Sequence, residues 1–461
     1  VTIKFYKCDL QKFHKVLLLK NKGVKWGGWI IMRSTVVTDG EKLRKIREKY
    51  KLKQSDVAGN DVTRNLLSEI ETGKAVITKN TAEVIIKNLK EFGRKHNFKV
   101  NETVEYLMEN TLVQATKILD DYIARLKELL ISKGESFAET LKEAKNFLAD
   151  WNINDKMASI YELAGDYYYI NNDVYESIMY YEKALTAIGK LVASDELLKI
   201  FSNIVKAYIF VGDYDKAIES STFVIEHFDN LLSDNTIKFV YNRAYSYSLL
   251  NKYELAIRDI NKIEDLVDKD DIQKYFKVFD TKAVCLKEVK RYDEAVNLYK
   301  SILNILNDEN MDKKIALHIN ITEAYMALNN LDKINSEFSI VQKELPYLDN
   351  NSEYEEDIYF EVGRIYEYLK SLEEASKYYN KAKDIANKKK NYVLLNKVLY
   401  KLINIATNNE KVDLIKNEVF KLSTKQDKLM SNLIHKLIDF YISNNNITRI
   451  KEINDFALQF N

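Results

Sequence analysis

Apolar residues return along this chain at helical spacing, and the first clear run opens at Gly40. Leu43, Ile46 and Tyr50 lie three to four residues apart, which predicts an amphipathic helix with Lys and Arg on its outer face. A second short helix is expected from Gln54, with Val57 and Ala58 as its packing side and Gly59-Asn60-Asp61 as the turn that follows. Thr63 is a fitting N-cap for a third helix that carries Leu66, Leu67 and Ile70 inward. Gly73 ends that helix, Ile77 packs back, and Thr81 to Leu89 reads as a fourth helix ahead of Phe92.

Beyond residue 120 the pattern repeats. Each unit has a helix ending on a tyrosine, a turn of Asn, Gly or Lys, and a second helix opened by a small or apolar residue. That residue is Ser177, Ala217, Ala256, Ala295, Ile334 or Ala375 in the six clearest copies, at successive separations of 40, 39, 39, 39 and 41 residues. Weaker copies around Ala138, Leu414 and Ile450 would bring the array to about nine hairpins, with atypical terminal units. A small side chain lets paired helices approach, while Tyr168, Tyr208, Tyr247, Tyr325 and Tyr366 are expected to fill the gap to the next hairpin.

Composition agrees with an all-helical chain, since 461 residues contain one proline and twelve glycines. The net charge of +1 conceals a segregation: residues 32–100 hold 16 Lys and Arg against 9 Asp and Glu, and residues 101–461 hold 47 against 59. A basic head on an acidic trunk is the footprint of a nucleic-acid-binding module joined to a body with another task. Cys8 and Cys285 are too far apart in sequence and context to suggest a disulfide framework or a zinc site, which fits a reducing cytoplasm. No apolar run is long enough for a membrane span, so no membrane partner is expected.

The first 31 residues form a poor signal peptide. Codons for Trp26-Gly27-Gly28-Trp29 can contain a ribosome-binding site ahead of Met32, so residues 1–31 are expected to be a non-native N-terminal extension, or else a disordered arm.

Two sets of side chains are candidates for binding. On the third helix Thr63, Arg64, Asn65 and Ser68 are left facing outward, and Arg and Asn are the side chains that pair bidentately with guanine and adenine edges. Gln54 is placed to bond a phosphate, and Lys53 and Lys74 complete the DNA-binding set. In the trunk, Asn203, Asn242 and Asn320 occupy the same place in three hairpins. An asparagine there either pairs with the main chain of an extended peptide or stabilises neighbouring backbone, and the sequence leaves both open. Tyr245, Lys282, Glu323 and Glu361 are the further candidates for ligand side chains.

The head resembles a Cro/C1-type helix-turn-helix of the xenobiotic-response-element class. The match runs through Gln54, Ala58, Val62-Thr63-Arg64-Asn65, Ser68, Ile70, Glu71 and Gly73, with a turn one residue shorter than the commonest form, as in peptide-sensing members. The trunk resembles tetratricopeptide repeats with lengthened helices, without the usual proline after each second helix. Head and trunk together resemble the peptide-responsive quorum-sensing regulators of Gram-positive bacteria, the Rgg, Rap, NprR, PlcR and PrgX group, and the arbitrium-type regulators of phages. Tyr241-Asn242-Arg243-Ala244 matches the segment whose asparagine grips peptide main chain in the PlcR-like branch.

The resemblance implies an all-α fold, a small lambda-repressor-like helix-turn-helix domain over 40–95, a linker helix over 96–119, and a tetratricopeptide-like right-handed α-superhelix over 120–461 that senses a ligand. It further implies double-stranded DNA and a short signalling peptide as partners, a cytoplasmic homodimer and no cofactor. Two alternatives stay open, a scaffold and a Rap-like response-regulator phosphatase. His14, His96, His227, His318 and His435 are scattered without metal-ligand spacing, and no phosphate loop or nucleophile elbow occurs, so an enzyme is not expected.

Overall fold

The computed structural model describes residues 35–132, 134–188, 194–228, 231–307 and 310–460. The expectation for residues 1–31 and Met32 lies outside the described residues. Among those described, every regular element is a helix. They divide into two compact units, one running up to Ser220 and one from Ser221 onward.

In the first unit, α1 (Asp39–Lys49), α2 (Gln54–Ala58), α3 (Arg64–Glu71) and α4 (Lys79–Lys95) enclose Leu43, Ile46, Val57, Ala58, Leu67, Ile70, Ile77, Ile85 and Leu89. Thr38 starts α1 through a capping box with Glu41, so two orphan N–H groups are satisfied reciprocally. Thr63 caps α3 as expected, its Oγ1 accepting from the Leu66 N–H at 3.2 Å. Leu66 itself is half-buried. Gly59 takes a positive φ of 61° in the turn, which is where a side-chain-bearing residue would be strained. The fourth helix is longer than Thr81 to Leu89: Thr78 caps it one turn earlier, and Phe92 lies within it.

The stretch 96–119 is not one helix. Phe98, Val100, Leu107 and Met108 pack onto the head core around a short α5 (Val104–Leu107), and a long helix, Thr111–Ser132, then begins the hairpins. Its Gln114 is buried and pairs with both peptide atoms of Val37, accepting from N–H at 3.2 Å and donating to C=O at 3.0 Å.

Nine hairpins follow among the described residues: Thr111–Ser132 with Phe137–Asp150, Asn154–Ile170 with Val174–Ala187, Asp195–Val211 with Tyr214–His227, Ser233–Leu249 with Tyr253–Ile263, Ile272–Glu288 with Tyr292–Leu303, Met311–Ala327 with Leu331–Glu344, Glu355–Tyr368 with Leu372–Lys388, Tyr392–Ile405 with Asn409–Lys425, and Ser431–Ser443 with Ile447–Ala457. Ser177, Ala217, Ala256, Ala295, Ile334 and Ala375 are all fully buried, which is the close approach their spacing predicts. A leucine at Ala256 would overpack that contact, at a cost of about 1–3 kcal/mol.

The turns explain why the period is so regular. Asn172, Gly212, Asn251, Lys290, Asn329 and Lys370 each take a positive φ and end a first helix. In each case the next N–H reaches back to a carbonyl in the last turn, as from Asp213 to Tyr208 at 2.9 Å and from Lys252 to Tyr247 at 2.8 Å. In the second and seventh hairpins a glycine replaces the usual larger residue: a Cβ on Gly165 would meet the Tyr181 ring at 2.5 Å, and one on Gly363 the Tyr379 ring at 2.6 Å.

Two expectations need correction. Pro346, the single proline, sits just after the second helix Leu331–Glu344, in the 3-10 turn Leu345–Tyr347, so one hairpin keeps the proline that its siblings lack. Leu414 is exposed, and its neighbours Val412 and Ile415 are buried instead, because the terminal hairpins drift from the central register.

Candidate functional site

The head presents one face of α3. Thr63, Arg64 and Asn65 are exposed at its N-terminus, Ser68 is half-buried, and Lys53 and Lys74 are exposed on the flanking segments. Gln54 is engaged within the protein: its amide nitrogen donates to Glu71 Oε2 at 3.0 Å. Glu71 in turn accepts two bonds from Arg47, at 2.7 and 3.0 Å, and raises the Arg47 pKa through them. This bridge fixes α3 against α1 and α2, so that Arg64 and Asn65 are held on a rigid support.

The trunk asparagines have unequal surroundings. In the first unit Asn203 is buried and donates to Asp166 Oδ1 at 3.1 Å, which also accepts the Tyr181 hydroxyl at 2.6 Å. Burial raises the Asp166 pKa, opposed by Lys199 nearby. The Asn203 amide nitrogen is thereby committed to a structural network.

In the second unit the same register continues every 39 to 41 residues as Asn242, Thr281, Asn320 and Glu361. Successive first helices meet side chain to side chain: the Thr281 hydroxyl lies 3.4 Å from that of Tyr241, Lys287 bonds Glu323 at 2.6 Å, and Arg364 bonds Glu323 at 2.7 Å. Arg364 also bonds Glu361, whose carboxyl is pushed well above its usual range by burial and by the neighbouring Glu323. The rings of Tyr241 and Tyr245 stack with centroids 6.2 Å apart.

Against these pairs stand polar atoms without a hydrogen-bond partner: Asn242 Nδ2, both amide atoms of Asn320, both carboxylate oxygens of Asp280 and the Tyr299 hydroxyl. Asn320 is fully buried and Asp280 is 1% exposed. A buried polar atom left unmet costs about 1–3 kcal/mol.

Lys282 does not join these residues; its ammonium is bonded to Glu264 in the turn after the preceding hairpin. Arg243, inside the Tyr241–Ala244 segment, stitches its own hairpin together through Asp259 at 2.7 and 2.9 Å. His318 is likewise occupied, by Glu337 at 2.6 Å. Sequence reading missed Asp280, Thr281, Lys287 and Arg364. Thr281 was within reach, being one period after Asn242 and one before Asn320. Among the described residues no group of three or more His, Cys, Asp or Glu could hold a metal ion, and no helix is long and apolar enough to cross a membrane.

The tetratricopeptide repeat family model matches residues 356–389, the seventh hairpin. No curated protein matches the chain. Among solved structures, the apo form of the quorum sensor NprR from B. thuringiensis is similar at 14% identity and a TM-score of 0.49, covering 75% of this chain and 99% of its own. The apo form of RapI gives 13%, 0.47, 75% and 97% for the same quantities. Bacillus thuringiensis PlcR, solved with the peptide PapR7 and DNA, gives 17%, 0.28, 58% and 94%.

Proposed function

We propose that the chain is a transcriptional regulator that binds double-stranded DNA through α3 and is controlled by a short signalling peptide held on the polar wall of the second unit. The observation that carries the ligand half is the polar row Asn242, Thr281, Asn320 and Glu361, repeated every 39 to 41 residues on successive first helices. An asparagine amide offers one donor and one acceptor, the complement of a peptide unit, so a row of them grips main chain whatever the side chains. The DNA half rests on Arg64 and Asn65, exposed at the start of a helix whose other face is buried, within the basic segment 32–100. Lys53 and Lys74 flank them as phosphate-directed groups and Thr63 and Ser68 as groove-directed ones, while Gln54 is held by Glu71.

A single short helix reads few bases, so the regulator acts as a cytoplasmic homodimer on paired half-sites. Peptide binding selects among conformations of the repeats and so biases how the heads engage DNA. The test is titration of the full chain with DNA from upstream of its own gene at about 50 and about 200 mM salt. Affinity should fall by roughly a thousandfold between the two. Arg64→Ala and Asn65→Ala should each lose roughly 5- to 150-fold. An unshifted DNA probe, or variants that bind as well as the parent, ends the DNA half. For the ligand half, Asn242→Ala should weaken peptide binding without unfolding the trunk.

A further inference from the structure

The head and the hairpins keep separate apolar cores. The head core ends at Met108, and the core of the first hairpin opens at Leu119. Between them run Glu109, Asn110 and the first turns of the helix Thr111–Ser132. Left to itself such a junction is a tether, because no shared apolar packing sets the angle between the two parts.

Two enclosed polar side chains meet at this junction, one from each side. Lys42, on α1, is completely buried, which an ammonium tolerates only when its donors are met. They are met by Asp39 Oδ1 at 3.1 Å, by the Leu107 carbonyl at 3.3 Å and by the Glu109 carbonyl. Gln114, on the helix Thr111–Ser132, is 1% exposed and donates to the same Glu109 carbonyl at 3.0 Å. Its amide also pairs with both peptide atoms of Val37, one residue before the Thr38 cap of α1. A head residue and a hairpin residue thus converge on one carbonyl at the joint, and the hairpin residue reaches on to the start of α1. That helix is in turn bonded to α3 through Arg47 and Glu71. A continuous run of bonds therefore leads from the first helix of the array to the helix that carries Arg64 and Asn65.

We propose that Lys42 and Gln114 are positioning residues that lock the head onto the first hairpin, so that α3 turns with the helix Thr111–Ser132 instead of swinging on residues 109–110. The consequence for regulation rests on the DNA-binding reading above. A loose joint would let each head of a dimer find its half-site independently, and the shape of the array would not matter to the DNA. A locked joint passes a change in the array to α3 without slack, although neither side chain touches DNA.

The test uses the full chain with Cys8→Ser and Cys285→Ala, spin-labelled through Glu83→Cys on α4 and Lys127→Cys on the first helix of the array, both exposed positions. The distance distribution should be as narrow as that of a pair within the hairpins, Lys127→Cys with Lys183→Cys. Lys42→Met combined with Gln114→Leu should broaden the head pair by about twofold or more and leave the hairpin pair unchanged. Gln114→Leu alone, which leaves every Lys42 bond in place, should broaden it too. For the DNA arm, the half-sites footprinted upstream of the chain's own gene are moved apart by about five base pairs, half a helical turn. The parent should lose roughly a hundredfold in affinity and the double variant less than about tenfold, while a single half-site binds both equally. Equal single-site binding shows that the variant head is folded. A parent distribution broader than the hairpin pair, or variants as narrow as the parent, overturns the lock. So does a parent as tolerant of the moved half-site as the double variant. Absence of DNA binding ends the regulator reading, and the distance measurement still decides the lock.

Discussion

Asn203 and Asn320 are the same residue at the same place in the repeat, three periods apart, and they have opposite fates. In the first unit Asn203 meets Asp166, which meets Tyr181, and the amide nitrogen is spent on holding a hairpin to its neighbour. In the second unit Asn320 is more deeply buried and meets nothing. The difference comes from what stands opposite. The first unit supplies a carboxylate and a tyrosine at matching heights, while the second pairs its charges among themselves, Lys287 with Glu323 and Arg364, and leaves the amides out. One repeat position can therefore be satisfied within one stretch of the array and left unpaired in another, and the partner decides which.

That contrast can be broken by experiment, most forcefully at the carboxyls. Folded Asp280 keeps its proton up to about pH 8, whereas the ordinary value is 3.8. Between those limits the folded state binds the extra proton, so stability falls as pH rises through the window. Asparagine at 280 has no such proton to lose. Asp280→Asn should therefore be stabilising by roughly 2–4 kcal/mol at pH 8 and neutral near pH 4 in denaturant melts. A gain that does not grow with pH would show that Asp280 is already paired.

A smaller effect is expected at Asn203. Asn203→Leu strips a donor from Asp166 and should destabilise by about 1–3 kcal/mol, seen as a lower urea midpoint. The smallest is expected at Asn320, where Asn320→Leu removes two unmet polar atoms and should leave the free protein unchanged or stabler by up to about 1 kcal/mol, while weakening peptide binding. If Asn320→Leu proved as costly as Asn203→Leu, the distinction between the two stretches would be lost.

Much of this was legible in the chain itself. The small or apolar residues from Ser177 to Ala375 mark the period, and all six are buried where their hairpins pair. The start of α3 at Thr63 and the turn at Gly59 were also readable, since capping and positive φ depend on local residue chemistry. Boundaries that depend on distant packing were not. Residues 98–108 fold onto the head because its core has apolar surface to cover, which no local pattern records.

The same division holds for the site. Periodicity put Asn203, Asn242 and Asn320 in one register, and residue type marked Arg64 and Asn65 as candidates for reading bases. Tertiary structure alone decided that Lys282 would turn to Glu264, that Asn203 would be satisfied, and that Asp280 would be enclosed with nothing to bond. The reason is physical: a helical period sets the direction a side chain leaves its own helix, but satisfaction and pKa depend on atoms contributed by helices about forty residues away, and the sequence carries no direct mark of that meeting.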